Sequence, residues 1–532
     1  ARMASNPHTS EANIKVAIIG GGLAGTAAAS RLNILASSSG QSVETHIFDW
    51  GWHPGGRMAH RSVYVAQADG SERFQAPPEG SGDWWLLDFD HGSQFIRIGR
   101  QNDTPATAKL LGPLVDSKHL CHWLDGGSRL GWLSSSGAFV PQESPDARQL
   151  GEGFFGIMKS PKSHSHEIFA STTGMVGVCA VVQSMTKGLK VHQRCRVLGL
   201  RELKVHKSTA EQSKLAPAPT NSSTAEVSNS RLGRKWRLLG DRGHHEMSSD
   251  MLKVKGREEK DEDVLGDFDA LILTEHMAWL PEWHPCCLHG LKDIFPKASA
   301  WVRERLGYNH QNRRFANIAS LFTLMVGFPE DEIDVPFDAV CIESNTIQFA
   351  ACQSSRPYAK KNDSKSHIHP ADCWVVVSTE KFAEKCLEQE TMSRKDSSGK
   401  IRYCPQEEKY LRSDPADIML DEFLRLISRV RRTEGVKTKN SESKVIYKRC
   451  QRWGAAYPST PTTKRKPTSK ADGNITDHGM CWEIGNAGIV CVGDYAEDHS
   501  VGSRGRSMIE AAIASGFGGA EKILAWQIKS AA

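Results

Sequence analysis

No window of this sequence approaches the roughly 18 consecutive apolar residues that a membrane-spanning helix requires. The longest candidate, IASLFTLMVGF at 318–328, has the length of a buried strand. Strong charge of either sign is also missing: a net charge of +5 over 532 residues implies neither nucleic acid nor an acidic membrane as a partner. There is no CxxC, and the 13 cysteines are scattered, odd in number and include one vicinal pair, Cys286 and Cys287. That pattern reads as reduced thiols in an intracellular compartment. The opening ARMASNPHTSEAN lacks the charged-then-apolar order of a secretory signal, and without a starting Met it reads as a processed or trimmed end. A soluble protein is expected, cytoplasmic or, if a transit peptide was removed, in a plastid or other organelle. No internal repeat is visible, and the absence of a G-x-S-x-G elbow argues against a hydrolase. The pairs His164 with His166 and His367 with His369 have no Cys or carboxylate cluster at ligand spacing, so no metal is expected.

What the chain does have is length enough for two or more domains, with 39% hydrophobic and 24% charged residues as in globular proteins. Compact apolar stretches alternate with segments rich in Ser, Lys, Glu and Pro at 207–231, 244–263, 359–371, 388–400, 434–443 and 461–477. Such composition buries too little apolar surface to offset ordering entropy, so these segments read as flexible insertions in loops. CRVLGLRELKV and RKWRLLGD, which flank the first of them, read as two strands of an enlarged hairpin.

VAIIG at 16–20 reads as a buried strand, and TAAASRLNILA as a helix whose small residues pack closely on a sheet. Between them Gly20, Gly22 and Gly25 form G-x-G-x-x-G, spanning Leu23 and Ala24. The first glycine suits a tight turn, the second lets the backbone approach a pyrophosphate, and the third lets the helix lie on the strand. Alone, the motif also fits a plain strand-to-helix turn. A second strand, THIFDW, ends in Asp49, at the distance where an acid accepts ribose hydroxyls. HPGGRMAHR then places Gly55, Gly56 and Arg57 where a plain NAD domain would enter its next helix, and a second diphosphate contact is the economical reading.

FDWGWHPGGRMAHR, FDHGSQFIRI at 89–98, TTGMVGVCAVVQSMTKGLKV at 172–191 and VCVGDYAEDHSVGSRGRSMIEAAIASG at 490–516 resemble, in order, motifs of the renalase-like FAD/NAD(P)-binding oxidoreductases of the flavin amine oxidase superfamily. FANIASLFTLMVGF, CWVVVSTEKF and CQRWGAAYP are weaker matches to the same family. The resemblance implies FAD as cofactor, held by Gly20, Gly22, Leu23, Ala24, Gly25, Asp49, Trp50, Gly55, Gly56, Arg57 and Met58. By the same resemblance His91, Gly92, Ser93 and Gln94 would line the flavin, Val197 would lie by the adenine, and Gly493 with Asp494 would meet ribityl hydroxyls. The helix carrying Ile509 and Glu510 would direct its N-terminus at the flavin pyrimidine, where partial positive charge favours the reduced anion. Read from the residues alone, Val197 equally suits ordinary strand core, and His91 a structural histidine.

No acid–base dyad stands out, so no catalytic residue is named; Gln94, Phe95, Trp453 and Met508 are the candidate substrate-facing residues. Superfamily amine oxidases carry an aromatic cage residue where this chain has Met508, and Ala511 replaces the usual Gly. That departure agrees with renalase-like proteins, whose resemblance implies oxidation of reduced nicotinamide dinucleotides, including aberrant isomers, with oxygen as acceptor. The alternatives are an amine or carotenoid-type flavin oxidoreductase, or a non-catalytic flavin-retaining scaffold or assembly protein.

The expected architecture is α/β: a Rossmann-like (GR2-type) FAD-binding domain with a second α+β substrate domain on a mostly antiparallel sheet. The first would be discontinuous, from 14–65, 170–280 and 480–527, and the second would use 66–169 and 281–479.

Overall fold

The computed structural model describes residues 14–98, 105–116, 120–122, 129–141, 167–171, 177–204, 234–242, 263–356, 367–404, 406–433, 444–458, 475–485, 487–496 and 508–531. Of the expected insertions, 207–231, 244–262, 359–366, 434–443 and 461–474 lie outside the described residues.

The first apolar run is β1 (Ile14–Ile19), in which Val16, Ala17 and Ile18 are fully buried, as a central parallel strand covered on both faces requires. It feeds α1 (Leu23–Ser39), which ends on Gly40 in the left-handed region (φ 71°), a conformation glycine adopts without a Cβ penalty. After α1 comes β2 (Val43–Phe48). These belong to a seven-stranded sheet in the order Lys190–His192, β2, β1, Ala270–Leu273, Ile489–Cys491, Trp482–Ile484, Ile475–Asp477. The first five run parallel and the last two are antiparallel. One face is covered by α1, the C-terminal helix Met508–Ala531 and the short helix Cys179–Met185. The other face is covered by a three-stranded antiparallel sheet, Arg196–Lys204, Arg234–Asp241 and Asp263–Phe268, and by the helix Pro296–Arg305.

The remaining apolar stretches build a ten-stranded, mostly antiparallel sheet. Its centre is Ile318–Pro329, flanked by Ile368–Ser378 and Tyr447–Pro458. Helices Glu380–Gln389 and Asp414–Thr433 cover one face, burying Phe382, Leu387, Met419, Phe423 and Ile427 against Trp374 and Phe328. The opposite face, with Phe89, Phe95, Leu321, Met325, Phe349 and Val377, turns toward the loops of the first sheet. No described helix is long and apolar enough to cross a membrane.

Several boundaries differ from the sequence reading. Residues 368–371 and 475–477, read as parts of flexible insertions, are strand, and Ile475–Asp477, assigned to the second domain, belongs to the seven-stranded sheet. His60–Ala66, assigned above to the first domain, pairs with Trp84–Asp90 in the ten-stranded sheet. Residues 281–316, assigned to the second, pack with the first: Leu291, Val302 and Phe315 share a core with Trp236 and Leu271, and Trp301 meets Trp482 edge-on at 5.1 Å. The expected insertion 388–400 contains half of a hairpin, Ser393–Lys395 with Ile401–Tyr403, whose turn is fixed because Asp396 accepts hydrogen bonds from the Ser398 and Lys400 amides at 3.0 Å. Polarity hid it: an Asx turn needs no apolar residues.

A close helix contact joins α1 to the C-terminal helix through small residues. A Cβ at Gly516 would lie 2.4 Å from the Ala24 carbonyl oxygen and 3.1 Å from the Ala28 nitrogen. Gly516→Val is therefore expected to destabilise the fold by about 1–3 kcal/mol through overpacking. Gly112→Ala, at a helical site with nothing within 4 Å, should not. Chemical denaturation of both variants checks this.

Candidate functional site

Two loops at strand ends of the parallel sheet meet a third from the ten-stranded sheet. At the first, Gly20 has φ +109°, and a Cβ there would fall 2.0 Å from Thr274 Oγ1; one at Gly25 would fall 2.1 Å from the Gly20 carbonyl oxygen. Packing alone demands both glycines. Gly22 differs: with φ −77° any residue could adopt its conformation, and its Cβ would meet nothing nearer than Gly56 Cα at 3.9 Å. As N-cap of α1 it offers no side-chain cap to the first-turn amides, while Leu23 and Ala24 are buried beneath.

Asp49, at the end of β2, accepts from the Gly21 amide at 2.8 Å with Oδ2 and from the Gly51 amide at 2.7 Å with Oδ1, and is 8% exposed. Burial pushes its carboxyl above the ordinary value, against the pull of the two amides. The expected ribose acceptor is thus the brace of the first loop. The second loop docks on the first: the Gly55 amide donates to the Gly21 carbonyl at 3.0 Å, and a Cβ at Gly56 (φ +53°) would lie 3.2 Å from Gly22 Cα. Met58 is buried below, and the Cys179 thiol donates to the Pro54 carbonyl at 3.0 Å.

Arg57 and Asp494, assigned by resemblance to the diphosphate and the ribityl hydroxyls, pair with each other here. Nη1 donates to Oδ2 at 2.7 Å and Nη2 to Oδ1 at 2.5 Å, and Nη1 also donates to the Ala456 carbonyl at 2.8 Å. Burial alone would lower the Arg57 pKa, but Asp494 outweighs it and the net shift is upward. The Arg57 side chain is still 40% exposed, against 2% for Asp494. Gly493 (φ +139°) donates its amide to Ser515 Oγ at 2.8 Å, tying this strand end to the C-terminal helix. Met508 is the first residue of that helix, its side chain outside the described residues; Ile509 is partly buried and Glu510 buried.

The third loop runs from His91 to Gln94. Ser93 donates its amide to the Arg57 carbonyl at 2.8 Å, and a Cβ at Gly92 would sit 1.9 Å from that oxygen. His91 stacks on Trp453 with centroids 5.5 Å apart, and Trp453 Nε1 donates to the His91 carbonyl at 3.0 Å. Burial, with Arg61, His60 and Arg449 nearby, holds the His91 imidazole neutral. Of the candidate substrate-facing residues, Gln94 and Phe95 are instead buried: Gln94 Nε2 donates to the Asp90 carbonyl at 3.3 Å, and Phe95 packs on Phe349 at 6.0 Å. The chain passes under the loop there, into the core of the second sheet. His91 Nδ1 and Gln94 Oε1 are buried without a hydrogen-bond partner among the described residues.

Behind this loop lies a charged hub. Asp90, fully buried, accepts from His60 Nδ1 at 2.9 Å, from the Val178 amide at 3.1 Å and from Arg356, which also donates to the Gln94 carbonyl at 3.0 Å. His60 Nε2 faces Asp88 at 3.3 Å.

Between the first sheet and its antiparallel cover a small recess of about 50 Å³, partly open to solvent, is lined by Gly20, Trp50, Val197, Glu275 and Cys286 among others. Arg196 stacks over the Trp50 ring at 4.8 Å. Sequence reasoning reached Gly20, Trp50 and Val197 but missed Glu275, Cys286, Arg196 and the Asp90 hub. The available signal was TEH directly after the apolar ALIL, since ligands bind beyond the carboxyl ends of parallel strands.

The NAD(P)-binding Rossmann-like domain family matches residues 18–99. No curated protein matches the chain. Solved structures similar to it include a putrescine oxidase triple mutant from a structure-based redesign of cofactor binding, at 13% identity over 97% of this chain and 100% of that one, TM-score 0.41. Wild-type putrescine oxidase bound to putrescine matches at 12% identity over 97% and 99%, TM-score 0.41. The flavin-dependent halogenase CmlS matches at 12% identity over 96% of this chain, TM-score 0.37, and the match spans only 58% of the halogenase.

The hub sets a pH dependence. Burial opposes charge on His60, but Asp88 and Asp90 outweigh it and push its pKa up from 6.5 to about 9. Its contribution is complete below pH 6.5 and lost as pH rises through about 9. His60→Gln should cost about 1–3 kcal/mol at pH 7, because buried Asp90 loses one donor while Arg356 and the Val178 amide remain. It should also flatten the fall in melting temperature that wild type shows between pH 7 and 10, read by thermal melts across that range.

Proposed function

We propose that the chain is an FAD-dependent oxidoreductase, renalase-like, that oxidises reduced nicotinamide dinucleotides with oxygen as the final acceptor. The observation that carries the reading is the facing pair Gly22 and Gly56. Gly56 is required by its backbone, but neither packing nor conformation requires glycine at Gly22, whose missing Cβ leaves room beside an uncapped helix start. A diphosphate supplies the reason: it needs close backbone approach and unpaired amides. A second glycine pair docked on the first loop favours FAD over a nicotinamide dinucleotide as resident cofactor.

The residues present fit that group. The Gly20–Gly25 loop and Gly55–Gly56 would hold the diphosphate, with the half-exposed Arg57 as the nearby cation. Trp50 and Val197, which line the small recess, would border the adenosine. The His91–Gln94 loop would border the flavin, where the orphaned His91 Nδ1 and Gln94 Oε1 could gain partners. When bound, FAD supplies a two-electron acceptor for hydride. The protein's share is to bind, orient and exclude water. Hydride transfer from a dihydropyridine needs alignment more than a proton carrier, and His91, held neutral by burial, adds no positive charge beside the site. Met508, where an amine oxidase would carry a cage aromatic, supports a planar donor that brings its own ring.

Two outcomes are expected. Gly22→Val should fold as wild type yet bind FAD at least tenfold more weakly, about 1.4 kcal/mol; thermal melts of apoprotein beside flavin titration check both halves. Mixed without oxygen, dihydronicotinamides should bleach the bound flavin faster than small primary amines. Fast bleaching by an amine with inertness to every dihydronicotinamide would favour an amine oxidoreductase instead, and inertness to both would favour a scaffold role.

A further inference from the structure

We infer that Arg61 and Arg449 form an anion site beside the His91 loop, which receives an acidic group of the substrate. The inference rests on the proposed oxidation of reduced nicotinamide dinucleotides and deepens it, since the acidic group is then a phosphate of the donor.

Strand alternation places both arginines. In Tyr447–Pro458, Arg449, Gln451 and Trp453 stand opposite Met325, Thr323 and Leu321, and Met325 and Leu321 belong to the core that turns toward the loops of the first sheet. In His60–Ala66, Arg61 alternates with Val63 and Val65 of that same core. Trp453 on this face stacks on His91, and both guanidiniums add to burial in holding the His91 imidazole neutral.

The charges there do not balance. Glu408 accepts from Arg449 Nε at 2.6 Å and Nη2 at 2.7 Å and from Arg412 Nε at 2.8 Å, while Arg412 grips Glu72 with its other two nitrogens. Arg61 faces the Tyr447 hydroxyl and lies 6.0 Å from the centroid of the exposed Phe74 ring. The acid whose field reaches it is Glu408, which is already shared. Among the described residues, three guanidiniums thus meet two carboxylates. Burial and the like charge of Arg449 lower the Arg61 pKa, a strain that a further anion would relieve. Arg449 Nη1 is buried without a hydrogen-bond partner among the described residues, as is His91 Nδ1, which a neutral imidazole can present as N–H. Donors left over beside a surplus guanidinium match an oxyanion, whose oxygens fit the planar fork, and they repel a cationic amine.

The test compares wild type, Arg61→Gln and Arg61→Lys as full chains carrying their flavin. Reduced nicotinamide mononucleotide and its phosphate-free riboside are mixed with each without oxygen, giving a limiting bleaching rate and a half-saturating concentration. Arg61→Gln should raise the half-saturating concentration for the mononucleotide about 10- to 100-fold, leave its limiting rate within about twofold and leave the riboside unchanged, with Arg61→Lys between. Melting temperature should not fall, because Glu408 keeps Arg449 and Arg412. Calorimetric titration with inorganic pyrophosphate and with succinate reads the site without turnover. Equal effects on mononucleotide and riboside, or no effect on either, would overturn the inference, as would wild-type protein that binds neither anion. Arg61-dependent binding of pyrophosphate by a chain that no dihydronicotinamide bleaches would support the anion site while overturning the nicotinamide reading. Arg61-dependent binding of succinate alone would do the same and assign a carboxylate substrate.

Discussion

A single guanidinium holds the site's three parts in register. Arg57 leaves the second glycine loop, grips Asp494 at the end of the last parallel strand with two hydrogen bonds, and reaches the Ala456 carbonyl in the long strand of the other sheet. These partners lie 437 and 399 residues away along the chain. Asp494 is almost fully buried, so losing Arg57 would strand a charge, a penalty of about 3–5 kcal/mol that neither half could escape by local rearrangement. The Arg57 carbonyl in turn accepts the Ser93 amide, so one residue positions the loops at Gly55, His91 and Gly493 together.

The second constraint is the distance at which backbones can meet. Gly25 against the Gly20 carbonyl, Gly92 against the Arg57 carbonyl and Gly516 against Ala24 are contacts that any Cβ would break. They bring α1, the glycine loops and the C-terminal helix into close packing, and Asp49 braces the first loop by holding two amides. Gly22 alone among Gly20, Gly22 and Gly25 is left over by this accounting: neither packing nor backbone conformation requires its glycine.

Behind the His91 loop, the buried charges are matched rather than isolated: Asp90 is met by His60, Arg356 and the Val178 amide. Such hubs stabilise weakly for the charge they bury, but here the donors fix the carboxylate's orientation: Oδ1 accepts from His60, Oδ2 from Arg356, and both share the Val178 amide. Here His60 comes from the ten-stranded sheet, Arg356 from the loop after its strand Ile347–Cys352, and Val178 from the start of helix Cys179–Met185, which packs on the first sheet.

The sequence determined the strands, the β1–α1 turn and the mostly antiparallel second sheet, because apolar runs bounded by glycine and polar residues encode them locally. IASLFTLMVGF and CWVVVS lie within the strands Ile318–Pro329 and Ile368–Ser378, and the glycine spacing placed Gly20, Gly22 and Gly25 correctly at the turn. Which strand joins which sheet was not local. His60–Ala66 follows β2 in sequence yet pairs across the molecule, and helix Pro296–Arg305 crosses the other way, because their apolar faces are satisfied only by partners far along the chain. The same limit governs the acids. Asp49 and Glu275 both end parallel strands and are chemically alike, and only packing decides that amides enclose one while the other opens into the recess.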